Sequence, residues 1–135
     1  VFAVVLSEKE HGADIYSSEV TLAPAEEGGY LANGRKYYIG NGNEAAITSV
    51  FGKYAESGEY VFFATDSKHE NYECVKNTVA EANYVAEIAL TDYPVTDAEI
   101  MQSGPKAWDN MLNTVNVCKF NLGWGSIGLS THAFY

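Results

Sequence analysis

The sequence predicts a mainly β protein, an antiparallel barrel or sandwich of about seven strands followed by one long C-terminal α-helix. Three observations predict it. From Val1 to Asp92 short apolar runs alternate with turn residues. After Gly104-Pro105 the apolar period lengthens from about two to about three and a half residues. The 135 residues are 47% hydrophobic and 13% aromatic, which is enough apolar surface to build a core and too much for general disorder.

Val1 to Leu6 reads as a buried strand. Val20 and Leu22 lie on an alternating strand that stops at Pro24 and the Glu26-Glu27-Gly28-Gly29 turn. Tyr30 to Ala32, Asn33-Gly34 and Arg35 to Ile39 together read as a hairpin, because Asn-Gly supplies both positive-φ positions of a type I′ turn. Ala46 to Tyr54, Glu56-Ser57-Gly58 and Tyr60 to Asp66 read as a second hairpin. Tyr72 to Val75 and Tyr84 to Asp92 supply further strands.

Met101 to Pro105 is the expected boundary, separating a β domain over 1-103 from the start of a helical domain over 104-135. The helix is expected from about Lys106 to the end of the chain, with Trp108, Met111, Leu112, Val115, Lys119, Leu122, Ser126, Leu129 and Ala133 at helical spacing. Such a helix is on the order of 40 Å long, more than a small barrel covers. Part of its apolar stripe therefore needs another partner, in this chain or in a second copy.

Eight Lys and Arg against eighteen Asp and Glu give a net charge of −10. That balance, with no basic run, excludes a phosphate-neutralising nucleic-acid binder and disfavours an anionic membrane surface. No apolar stretch approaches the roughly 20 residues of a membrane span. Ser7, Glu8, Lys9 and Glu10 follow the first apolar run at once and no basic residue precedes it, so it does not read as a signal peptide. Val at the first position is what a chain beginning inside a longer gene product would show. Cys74 and Cys118 are far apart and no N-x-Ser/Thr sequon occurs, which reads as a reducing, cytoplasmic setting with two free thiols.

Two glycine patterns invite a nucleotide reading. Gly40 to Ala45 matches G-x-G-x-x-A, but Ala46 to Phe51 follows as a strand where a phosphate-binding helix would be needed. Gly123 to Gly128 matches G-x-G-x-x-G inside a helical pattern, where close packing through small residues is the simpler account. His11, His69 and His132 lack ligand spacing and read as surface or turn histidines, not as a metal site. Cys118 reads as a small core residue, and Asp66, Glu70 and Asp97 as solvated charge.

One resemblance is specific. Val4-Val5-Leu6-Ser7-Glu8-Lys9-Glu10-His11-Gly12-Ala13-Asp14 resembles the signature opening the middle domain of acyl-CoA dehydrogenases. Asn33-Gly34-Arg35-Lys36-Tyr37-Tyr38-Ile39-Gly40-Asn41-Gly42 is similar to that family's N-G-x-K-x-W-I-T-N-G block. Asp92-Tyr93-Pro94-Val95 resembles a segment near the end of the same domain, and Gly104 to Lys119, continuing through Gly128, resembles the first helix of the C-terminal domain. The blocks cover nearly the whole chain in the family's order.

The resemblance implies an FAD-dependent enzyme of fatty-acid β-oxidation that removes hydrogens from the α and β carbons of an acyl-CoA thioester. It implies that Leu6 and Ser7 meet the flavin ring edge, that Tyr38 packs on the flavin where the family has Trp, and that Ile39 and Gly40 flank the redox-active ring nitrogen. Ala13 would lie near the pyrophosphate, and Val4, Asn116 and Lys119 near the acyl-CoA. No catalytic residue is expected in the chain, because the family's general-base carboxylate would lie beyond Tyr135. This stretch would then be an inactive central fragment of a homo-oligomeric parent that passes electrons to electron-transfer flavoprotein. An acyl-CoA oxidase and a non-catalytic barrel module are the alternatives.

The departures define a divergent branch. Ala13 and Gly40 each lose a hydroxyl the family has, Lys119 stands for Arg, Asn116 for Asp, and His11 for a small residue. Each lost neutral hydrogen bond is worth roughly 0.5 to 1.5 kcal/mol, a weakening and not a veto.

Overall fold

A computed structural model describes residues 1–77 and 84–134. Eight strands form one sheet: β1 Phe2–Val5, β2 Thr21–Pro24, β3 Tyr30–Gly40, β4 Ile47–Tyr54, β5 Tyr60–Asp66, β6 Tyr72–Asn77, β7 Val85–Val95 and β8 Ile100–Ser103. One helix, α1, runs over Gly104–Ala133. Tyr135, the last residue of the expected helix, lies outside the described residues. The strand order is β6-β7-β3-β2-β4-β5-β8, with β1 paired to β4.

Antiparallel pairs dominate, as expected, but two pairs are parallel. Phe2 to Val5 run beside Ile47 to Val50, and Thr21-Leu22 beside Lys53-Tyr54. Because β5 takes the whole opposite edge of β4, β1 and β2 share the remaining edge end to end. β8, a short strand beside β5, occupies what the sequence predicts to be a linker.

The first predicted hairpin is corrected. Asn33-Gly34 does not turn the chain, and β3 runs straight through it for 11 residues. The turn lies one strand earlier, between β2 and β3, at Ala25 to Gly29, with Gly28 and Gly29 at φ 96° and 72°. Asn33 instead pins a bulge in β7: its Oδ1 accepts from the Asp92 amide at 2.8 Å and its Nδ2 donates to Asp92 Oδ1 at 2.9 Å. Gly34 is required there, since at φ 141° a Cβ would come within 2.9 Å of the Val20 backbone.

A second bulge falls on β3. Between the Lys36/Ile88 and Ile39/Ala86 pairs, Tyr37 and Tyr38 stand opposite Glu87 alone, and Tyr38 adopts φ 63°. The strand thereby swings the Tyr38 ring out toward solvent, where it remains mostly exposed.

Two cores lie on the two faces of the sheet. Val5, Leu22, Val50, Phe63, Ile88 and Tyr93 fill the inner one, drawn from both ends of the strand order, so the sheet curls around them. On the outer face Phe51 and Phe62 pack against Ala107 and Met111 of α1. This double cover explains why β4 and β5 read as near-continuous apolar runs.

The start of α1 is fixed by aromatic rings. Trp108 stacks on Tyr16 at 4.4 Å between centroids and lies 4.9 Å from Tyr60. Lys53 reaches over the Tyr60 ring at 5.4 Å. Further along, Phe120, Leu122, Trp124, Ile127 and Leu129 are exposed. Gly123, Gly125 and Gly128 have open space around them, so the expected close packing through small residues does not occur within this chain. No described helix is long and apolar enough to cross a membrane.

Candidate functional site

The two motifs at Val4 to Asp14 and Asn33 to Gly42 meet through a buried ion pair. Lys36 and Glu8 are 1% and 6% exposed, and Lys36 Nζ lies 2.7 Å from Glu8 Oε1. The ammonium also donates to Ser18 Oγ at 3.1 Å and to the Leu6 carbonyl at 2.9 Å, so all three hydrogens meet acceptors. Ser18 Oγ donates to Glu8 Oε1 at 2.7 Å and the Glu19 amide to Oε2 at 2.8 Å.

Burial alone would raise the Glu8 carboxyl, but the Lys36 charge and the bonds from Lys36, Ser18 and the Glu19 amide outweigh it and hold Glu8 below its ordinary value. Burial draws the Lys36 ammonium the other way, below its ordinary value, against the pull of Glu8. With every donor and acceptor matched, the ionised pair is the form this geometry favours.

Leu6 and Ser7 form a lip held by this pair and by the Tyr37 amide, which donates to the Ser7 carbonyl at 2.8 Å. Across the lip stand Tyr38, swung out by the β3 bulge, and the buried Ile39 beside it, and one face of α1 completes a groove of about 320 Å³. Six of the nine residues singled out from the sequence line it: Val4, Leu6, Ser7, Tyr38, Ile39 and Lys119. The helix adds Thr114, Val115, Cys118 and Leu122, which with Lys119 follow the helical repeat.

Three singled-out residues do not join the groove. Ala13 sits exposed in the bend leading to a 3₁₀ turn at Ile15–Ser17, because the chain after Glu8 follows that buried carboxylate away from the lip. Gly40 is exposed at the end of β3. Asn116 is exposed on a different helix face from Val115 and Lys119.

Cys118 is corrected from a core residue to an exposed thiol on the groove wall. Its position four residues after Thr114 and before Leu122 was the available signal. Histidine spacing also missed a cluster: His11 Nε2 lies 2.9 Å from Glu19 Oε1, and these two with Glu8 offer atoms within 4.8 Å of one another. Glu8 is already taken by the Lys36 ammonium, whose charge would repel a cation there. The cluster is therefore an ion-pair edge of the buried network, with His11 held above its ordinary value by its bond to Glu19.

Chemically the groove suits a flat aromatic ring with a polar edge. Val4, Leu6, Ile39 and Val115 give apolar walls, Tyr38 an aromatic face, and Ser7 a half-buried hydroxyl. Lys119 supplies the one cation among the described lining residues.

No protein-family model matches the chain, and no curated protein matches it. Solved structures do. An acyl-CoA dehydrogenase complexed with FAD from Bacillus anthracis superposes with a TM-score of 0.82 at 21% identity, over 90% of this chain and 22% of that one. An acyl-CoA dehydrogenase from Geobacillus kaustophilus superposes at 0.72 and 18% identity, over 84% of this chain and 32% of that one. The prolyl acyl carrier protein oxidase AnaB does so at 0.70 and 23%, over 79% and 30%. The chain shares the fold of these proteins and spans less than a third of their length.

Proposed function

We propose that this chain is the central part of a flavin-dependent acyl-CoA dehydrogenase, with residues 1-103 as its middle β domain and 104-135 as the start of its C-terminal helical domain. One observation carries the reading. Six residues assigned to flavin or acyl-CoA by the sequence resemblance, from three separate blocks, line a single groove.

When bound, FAD supplies a two-electron acceptor for a hydride. The chain's own residues would bind and orient it: Leu6 and Ser7 would meet the ring edge, Tyr38 would pack on the ring, and Ile39 would lie beside it on the apolar side. Val4 and Lys119 meet the acyl-CoA, the first by its apolar side and the second by its charge. Ala13, Gly40 and Asn116, outside the groove, would take their roles toward pyrophosphate, ring nitrogen and substrate only where neighbouring elements bring the ligand to them. The proton-abstracting carboxylate comes from outside these residues, so the chain alone is inactive.

The proposal extends to a homo-oligomeric, cytoplasmic parent that hands electrons to electron-transfer flavoprotein. The second reading is an oxidase, favoured by the likeness to a prolyl acyl carrier protein oxidase, which also marks a thioester-bound substrate class. The test is anaerobic: acyl-CoAs of several lengths are added to the flavin-loaded parent protein. Bleaching of the flavin band is expected, and its absence with every thioester overturns the reading. Peroxide on readmitting air identifies the oxidase, and a stable flavoprotein without bleaching identifies a non-catalytic module.

A further inference from the structure

We propose that Lys36, held by Glu8, is a positioning residue that acts through the Leu6 carbonyl to fix the lip of the groove. The proposal rests on the flavin reading above for the ligand, and on the geometry of this chain for the clamp.

A buried ion pair is a poor source of stability, because the desolvation of two charges about cancels their attraction and an apolar pair of equal volume does as well. Its geometry is what an apolar pair cannot reproduce. The ladder that holds β1 to β4 ends at the Val5/Val50 pair. From there the lip is tied sideways to β3, by Lys36 Nζ to the Leu6 carbonyl at 2.9 Å and by the Tyr37 amide to the Ser7 carbonyl at 2.8 Å.

Those donors are consecutive residues, and the second of them belongs to the bulge that swings Tyr38 out ahead of Ile39. One short stretch of β3 therefore ties down the lip and carries Tyr38 and Ile39 opposite it, and α1 closes the groove. Glu8 keeps the ammonium charged and aimed, with Ser18 as the second guide. Nothing in this arrangement needs Lys36 to touch a ligand.

The test compares the 135-residue chain with Lys36→Met and with the neutral pair Glu8→Gln/Lys36→Met, which leaves no orphaned charge and guards against simple unfolding. Amide exchange is read in that chain at Tyr37 and across β4 and β5, and FAD binding, which the chain alone is expected to support weakly or not at all, is read by flavin fluorescence in the parent protein carrying the same substitutions. The neutral pair is expected to speed exchange at Tyr37 about tenfold and to weaken FAD binding about tenfold, with β4 and β5 unchanged. Unchanged exchange at Tyr37, or equal acceleration throughout β4 and β5, overturns the positioning role. Faster exchange at Tyr37 with FAD bound equally well by the substituted parent protein overturns the link from the clamp to the flavin and leaves the clamp standing.

Discussion

The strand region and the far half of α1 are built from similar residues and meet different fates. Phe51, Phe62 and Phe63 are buried between layers that the same chain supplies, whereas Phe120, Trp124 and Leu129 are exposed on a helix that has run past the sheet. At about 1.5 Å per residue its 30 residues extend roughly 45 Å, and burial reaches only Met111, with Val115 half covered. Apolar composition alone thus does not make a core. What decides burial here is whether a second layer lies within reach, and the strands have one on each face.

The sharpest way to break that comparison is to truncate one residue from each region. Phe63→Ala should cost about 3 to 5 kcal/mol in a denaturant titration, and Leu129→Ala no more than about 0.5. Equal losses would mean that the far helix is packed in solution. Trp108→Ala tests the joint between the regions. Removing its stacks with Tyr16 and Tyr60 should cost about 2 kcal/mol and speed amide exchange along α1 while β3 and β7 stay protected.

Acid should weaken the strand region through Glu8. Its folded value lies below the ordinary 4.5, so its contribution is complete above that value and disappears as the pH falls through the lowered one. Denaturation midpoints measured between about pH 6 and pH 3 should fall, and Glu8→Gln should flatten the fall. The smallest effect is local. The His11 titration followed by NMR should centre above 6.5 and return toward it in Glu19→Gln, because the bond to Glu19 favours the charged ring. Any stability it lends is present at low pH and fades as the pH rises through the raised value.

Strand content was readable because alternation is a local property, and the β4–β5 hairpin followed from Gly58 and its flanks. The misplaced hairpin shows the limit. Asn33-Gly34 carries a turn signal, but Asp92, far away in sequence, offers the Asn33 side chain two bonds and keeps the strand straight. β8 escaped because Ile100–Ser103 is short, half exposed and next to a helix. The parallel pairing of β1 with β4 has no local mark at all.

The site divides in the same way. Motifs marked Leu6, Ser7, Tyr38, Ile39 and Lys119, and the apolar helix stripe held Val115 and Leu122. Where they meet stand the Lys36–Glu8 pair and the β3 bulge, both set by contacts between distant segments. Thr114 and Cys118 carry no motif and were visible only as neighbours on a helix face.

The pairing of β1 with β4 also carries a cost in chain entropy. Phe2 meets Ile47 only after more than forty intervening residues have been gathered in, while β4 and β5 join across a short turn. Closing so long a loop costs more chain entropy than closing the β4–β5 turn. The groove lip is an extension of β1, so the place for a ligand depends on that costly closure. A ligand that binds only the docked lip would favour the closed form by mass action.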